Sequence, residues 1–147
     1  MQEAFAAPLA ALTTMRVGGP ADRLVTAESI DDIVDAVREV DDADEPLLLL
    51  SGGSNLVVAD DGFRGTVLRI ASRGVRVESL DRCSGATVRV AAGEPWDDLV
   101  VRAVTEGWSG IEALSGIPGC VGSTPVQNVG AYGQEVADTI AQVRVWD

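Results

Sequence analysis

The chain has 147 residues, and its 23 acidic and 11 basic side chains give a formal net charge of −12. Nucleic acid and anionic membrane surfaces are bound through basic footprints, so neither is expected as a partner. Histidine is absent, and Cys83 and Cys120 are the only cysteines, which argues against a disulfide framework and against a Cys/His metal site.

The composition and the N-terminal residues also indicate the cellular compartment of the protein. The N-terminal residues lack the basic start and apolar core of a signal peptide, and no apolar run approaches transmembrane length. Sparse cysteine favours a reducing environment. Hydrophobic residues make up 46% of the chain, an ordinary share for a globular protein. We therefore expect a soluble, cytoplasmic protein with a packed core.

Residues 1–15 are expected to form an N-terminal arm, and residues 16–70 a first lobe built around a strand–helix–strand unit. A short strand at 23–26 precedes a helix that begins after the N-cap Ser29. The run at 47–50 is continuously apolar, which predicts a strand buried on both faces, and a further strand is predicted at 66–70. The apolar stripe predicted for the helix comprises Ile30, Ile33, Val34, Val37 and Val40.

Residues 71–147 are expected to form a second lobe. Alternating apolar residues predict strands at 75–78 and 87–90, joined through 81–85. A helix with Pro95 at an early position ends at Gly107, and alternation at 143–146 predicts a last strand that the end of the sequence interrupts. The buried stripe predicted for this helix comprises Trp96, Leu99, Val100, Ala103 and Val104.

Two segments, 50–56 and 114–133, are rich in glycine yet apolar, which is unusual because loops are normally polar. The second contains five glycines and two prolines. Glycine lets backbone N–H groups approach a ligand closely. We interpret the two segments as converging on one site for a flat, partly apolar ligand.

Five motifs occur in the order and approximate spacing found in UDP-N-acetylenolpyruvoylglucosamine reductases, and the chain resembles that family from Thr13 onward. They are TTMRVGGPA at 13–21, LSGGSNL at 50–56, GIE at 110–112, IPGCVG at 117–122 and QNVGAYG at 127–133. The departures are small. Met15 stands where the family often has Phe, Ser51 where it often has Gly, and Cys120 and Ser123 occupy positions usually held by small residues.

The resemblance implies an α+β fold: a two-lobed FAD-binding domain of the vanillyl-alcohol oxidase-like type, incomplete at the C-terminus and without the substrate-binding domain. In that family NADPH reduces the flavin, and the flavin passes a hydride to the enolpyruvyl group of a UDP-sugar. The product, UDP-N-acetylmuramate, serves peptidoglycan synthesis and hence cell wall biogenesis, cell shape and cell division. The family's catalytic arginine, serine and glutamate follow the QNVGAYG motif. We therefore expect no catalytic residue here and no turnover by this chain alone. We also expect a monomer.

The resemblance also implies a set of cofactor-binding residues. Backbone and side-chain donors of the first segment would bind the FAD pyrophosphate, and an ordinary turn that needs glycine is the alternative. The second segment would face the flavin, with an ordinary Gly-Pro loop as the alternative. The residues implied are Gly52, Gly53, Ser54, Asn55 and Leu56 in the first segment, and Pro118, Gly119, Gly122, Ser123, Gln127, Asn128, Gly130, Ala131 and Tyr132 in the second.

Single residues leave alternatives open. The amides of Gln127 and Asn128, taken as buried, suit the flavin edge or ribityl hydroxyls, or else brace the loop. Tyr132 either lines the flavin or nicotinamide path or packs in the core. Arg16 either meets a phosphate or, as we slightly favour, braces the arm. In the second segment, Cys120 is expected to be a small buried residue and not a redox thiol.

Glu112 is expected to have a structural or ligand-orienting role, because the sequence shows no second group that would make it a general base.

Other functions of the chain stay open beside the leading one. Another oxidoreductase could use the same flavin scaffold, and the chain could be a non-catalytic flavin-binding module. For the leading function we expect weak retention of FAD, because an incomplete cradle leaves the cofactor exposed.

Overall fold

The computed structural model describes residues 1–81 and 85–146. The chain forms two compact units, Met1–Ser72 and Arg73–Asp147, each with a hydrophobic core of its own. Part of the predicted connection at 81–85, including Cys83, lies outside the described residues. No helix in the described ranges is long and apolar enough to cross a membrane.

The first unit is a four-stranded sheet with one helix. The sheet has the order β1-β2-β4-β3, in which β2 and β3 both run parallel to β4 and β1 is antiparallel to β2. The predicted strand–helix–strand unit is therefore present, but its two strands do not pair, because β4 lies between them. The elements are β1 (Gln2–Pro8), β2 (Pro20–Ala27), α1 (Ile30–Asp42), β3 (Leu47–Leu50) and β4 (Phe63–Ile70).

Two features of this sheet differ from the sequence-based expectation. β1 lies where only an arm was expected: it buries a single residue, Ala7, and leaves Phe5 73% exposed, so no alternating pattern marks it as a strand. β3 was expected to be buried on both faces, yet Leu49 is 60% exposed. The reason is position, since β3 is the edge strand and has a neighbour on one side only.

Helix α1 begins where the sequence predicts. Ser29 is the N-cap and forms a capping box: the Asp32 backbone N–H donates to Ser29 Oγ at 3.0 Å, and Asp32 Oδ2 accepts from the Ser29 N–H at 3.1 Å. Hydrogen bonds, first that from the Glu28 backbone N–H and then those of the Ser29 side chain and the N-terminal ammonium, lower the pKa of Asp32. Ala36 packs against the sheet and Val40 is buried, but Ile30 is exposed, so the packed stripe begins one turn later than predicted.

The second unit contains an antiparallel strand pair, β5 (Val75–Asp81) and β6 (Gly85–Val90), and helix α2 (Trp96–Glu106). The helix ends at Gly107 in a left-handed C-cap, as predicted. Val104 belongs to the predicted stripe but is exposed. Residues 143–146 form no strand in the described structure, because alternation produces a strand only where a neighbouring edge is available to pair with. The core comprises Trp96, Leu99, Val100, Leu114, Val129 and Val136.

Candidate functional site

The first glycine-rich segment follows β3 directly and forms a turn at the carboxyl end of that strand. In the described part of the chain, the backbone N–H groups of residues 52–56 donate to no protein acceptor. The side chains of Ser54 and Asn55 are exposed. Consecutive backbone N–H groups left unpaired in a turn are suited to holding an anion. The carboxyl end of a parallel strand is also where α/β sheets bind ligands.

Gly53 is required by close packing. It is buried, has a φ of +65°, and a Cβ built on it would lie 2.0 Å from the Leu12 carbonyl oxygen. Its own carbonyl accepts from the Thr14 N–H at 3.1 Å. The structural requirement for glycine is therefore met here, while the N–H groups around it stay available and their contact with a pyrophosphate stays a prediction.

Arg16 does not brace the arm through its side chain. Its guanidinium is exposed and makes no hydrogen bond or ion pair with the described residues. The arm is held instead by the Thr14–Gly53 bond and by Thr13 Oγ1, which donates to the Val17 carbonyl at 3.0 Å. The bracing alternative is therefore wrong for the guanidinium, and contact with a phosphate stays a prediction.

The second segment has more regular structure than the sequence suggested. Val121–Gln127 forms a 3₁₀ helix, and the residues before it pair with the chain that leads into α2, since Trp96 N–H donates to the Gly119 carbonyl at 3.0 Å. Gly122 N–H donates to the Ala92 carbonyl at 2.8 Å, and a Cβ at Gly122 would lie 2.6 Å from the Ala92 Cβ. Gly122 is thus needed for backbone packing.

The two amides that follow are exposed, which corrects the expectation that they are buried. Asn128 adopts a left-handed conformation with φ +46°. Its Nδ2 donates to Glu135 Oε2 at 2.8 Å and its Oδ1 accepts from the Ala137 N–H at 3.1 Å, so it braces the loop. The Gln127 amide has no protein partner among the described residues and stays free for a ligand.

A two-residue turn presents Tyr132 to solvent. The short strands β7 (Gly130–Ala131) and β8 (Gln134–Glu135) pair antiparallel, and Tyr132 and Gly133 between them have φ values of +53° and +85°. Positive φ at both central residues is the pattern of a type I′ turn. Tyr132 is 96% exposed, so the alternative of core packing is wrong.

Two positions were missed by the sequence analysis. Gln134 Oε1 accepts from the Ala113 N–H at 2.8 Å and fixes the hairpin to the turn at Glu112–Leu114, while Glu135 holds Asn128 as described above. The sequence signal that could have indicated them is their position, as polar residues directly after a tight Tyr-Gly turn.

The remaining candidates show no sign of acid–base or redox function. The Glu112 carboxylate accepts the Gly110 N–H at 2.5 Å, and backbone N–H groups, first its own and then that of Gly110, lower its pKa. A carboxylate with a lowered pKa is a poor proton acceptor, which supports a structural role. Cys120 is half-buried and not fully buried as expected. No group of three potential metal ligands occurs in the described ranges.

Comparison with known proteins assigns the chain to a family. Residues 21–147 match the model of the FAD binding domain. A UDP-N-acetylenolpyruvoylglucosamine reductase of Cutibacterium acnes is 57% identical over 95% of this chain, and that of Streptomyces coelicolor is 55% identical over 100% of it. The chain spans 37% of the length of each of these relatives.

A solved structure gives the same assignment. The crystal structure of UDP-N-acetylenolpyruvylglucosamine reductase from Thermus caldophilus superposes with a TM-score of 0.68 at 32% sequence identity. The match covers 93% of this chain and 45% of that one. This agreement, together with the family match over 21–147, shows that the chain belongs to the FAD binding domain family, with the α+β flavin-binding fold that the sequence predicted.

Proposed function

We propose that the chain supplies the FAD-binding part of a UDP-N-acetylenolpyruvoylglucosamine reductase. One observation carries the proposal: eight relatives that are 51–58% identical over 95% or more of the chain all have that name. Similarity of this degree across both glycine-rich segments favours the reductase over another oxidoreductase on the same scaffold.

The residues present fit FAD. A pyrophosphate needs donors, and a chain with net charge −12 and no lysine supplies them as the row of unpaired N–H groups at 52–56. Leu56 is half-buried in the apolar core beneath that row. In the second unit, Pro118, Gly119, Gly122 and Ser123 would face the flavin, as would Gln127, Asn128 and the hairpin residues Gly130, Ala131 and Tyr132.

Bound here, FAD would supply the hydride-transfer chemistry between NADPH and the enolpyruvyl double bond of the UDP-sugar. The residues of this chain bind and orient the cofactor. The Glu112 carboxylate accepts the Gly110 backbone N–H, which favours a structural role over that of a general acid. We propose that protonation of the substrate belongs to the family's residues beyond the QNVGAYG motif, as the resemblance implies, in a cytoplasmic, monomeric enzyme of peptidoglycan synthesis.

Binding and turnover test this proposal separately. The 147-residue chain is titrated with FAD and, in parallel, with riboflavin, while flavin fluorescence is recorded. We expect FAD to bind at least tenfold more tightly than riboflavin, because riboflavin lacks the pyrophosphate, with a dissociation constant above the nanomolar range. Absence of FAD binding refutes the proposal. NADPH oxidation with the UDP-enolpyruvyl sugar should be undetectable, and turnover would show that a proton donor lies within this chain.

A further inference from the structure

Arg69 occupies a defined place beside the first glycine-rich segment. It is the penultimate residue of β4, where it pairs in register with Leu50, the last residue of β3, and with Thr26 of β2. The three strands are parallel, so their carboxyl ends share one edge of the sheet. At that edge β3 passes into the turn at 52–56. Gly52 is only two residues beyond Leu50, which pairs with Arg69 at the neighbouring-strand spacing of about 4.8 Å.

The side chain of Arg69 is also on the correct face of the sheet. Side chains alternate along a strand, so Arg69 shares a face with Val67, two residues earlier. Val67 is buried together with Leu50 and with Val58, which belongs to the loop after the glycine-rich turn. Leu68, by contrast, packs on the other face against α1. Arg69 therefore lies on the face that this loop covers.

The charge of Arg69 is not compensated. Its guanidinium is exposed and has no hydrogen bond or ion pair to any described residue. Elsewhere in the same unit, Arg23 pairs with two carboxylates and Arg64 with Asp22 at 3.1 Å. The two residues that flank Arg69 across the sheet, Thr26 and Leu50, are uncharged. A chain with net charge −12 has acidic groups in excess, so an unpaired arginine beside a row of free N–H donors is available for an external anion.

We infer that Arg69 is a cationic contact of the FAD diphosphate, closing over the anion that the backbone N–H groups of residues 52–56 hold. This inference rests on the proposed function and adds a side-chain determinant to it. A guanidinium presents paired N–H donors that match phosphate oxygens. Arg69 thus sets the preference for the dinucleotide over flavins without a diphosphate.

The test compares Arg69→Gln with Arg64→Gln. The control removes the same charge from the same strand, but at its amino end. The proteins compared are these two variants, Arg69→Lys and the original chain, and circular dichroism first shows that each one folds. The dissociation constants of each protein for FAD and for riboflavin are then measured by flavin fluorescence at low ionic strength. We expect Arg69→Gln to weaken FAD binding roughly tenfold, since a charged hydrogen bond is lost at an exposed site.

Arg64→Gln should bind FAD like the original chain, Arg69→Lys should recover part of the loss, and riboflavin binding should not change. Unaltered FAD binding by Arg69→Gln overturns the inference while the proposed function stands. An equal loss in Arg64→Gln, or an equal loss for riboflavin, also overturns it, because the effect would then come from net charge or from the fold. Failure of the original chain to bind FAD refutes the proposed function itself.

Discussion

Replacing Tyr132 by asparagine should stabilise the second unit. Tyr132 has a φ of +53° and leads into Gly133 in a two-residue hairpin turn. A left-handed conformation costs an ordinary L-residue about 1 kcal/mol, whereas Asn-Gly is the preferred pair in such turns. Tyr132 is 96% exposed, so the substitution removes almost no packing. We expect Tyr132→Asn to raise the free energy of unfolding by about 0.5–1 kcal/mol and the melting temperature by roughly 2–5 °C.

Thermal and urea unfolding of the 147-residue chain measure this effect. Tyr132→Phe is the matched control: it keeps the aromatic ring and the backbone strain, so its stability should not change. A lower melting temperature for Tyr132→Asn would refute the reasoning, because the ring would then contribute packing that its exposure excludes. If the ring contacts the flavin as we propose, the stabilised variant should bind FAD more weakly than Tyr132→Phe does.

Two further predictions concern stability. Gly122→Ala would place a Cβ 2.6 Å from the Ala92 Cβ, and overpacking of this kind costs about 1–3 kcal/mol. Gly116→Ala meets nothing within 4 Å and should lose only about 1 kcal/mol for its φ of +76°. Urea unfolding should not show a greater loss of stability for Gly116→Ala than for Gly122→Ala, and that order would contradict the packing argument. The hydrogen bonds and charge of Arg23 lower the pKa of Glu39 below its ordinary value of 4.5. A carboxylate whose pKa is lowered by folding stabilises the folded state at pH values above its ordinary pKa. This stabilisation is lost as the pH falls through the folded-state pKa. The stability difference between the original chain and Glu39→Gln should therefore vanish in acid, and a difference independent of pH would contradict that cause.

Much of the fold followed from local sequence patterns. Ser29 and Asp32 mark the start of α1, and Gly107 marks the end of α2, because capping is decided by a few neighbouring residues. β1 was missed because an exposed edge strand carries no alternating pattern. The strand predicted at 143–146 is absent, because the alternation of apolar and polar residues indicates which face of a strand would be buried but not whether a partner strand is available.

Part of the candidate site could likewise be predicted from the sequence, and part could not. The motifs at 50–56 and 117–133 were recognisable from the sequence, and membership of the FAD binding domain family is confirmed. The cofactor contacts remain predictions, and for Asn128 the structure favours loop bracing, one of the two alternatives left open by the sequence. Asn128 was expected to be buried and proves to be an exposed brace, since its partners Glu135 and Ala137 meet it only after the hairpin has formed.

The residues alone determined the acidic character, the capped helices, the glycine-rich turns and the family. Tertiary structure decided that β4 lies between β2 and β3 and that Leu50 therefore meets Arg69. The reason is physical: caps, turns and periodicity depend on neighbours within a few residues, whereas strand order and register depend on which edges and faces the whole chain can pair and bury at once.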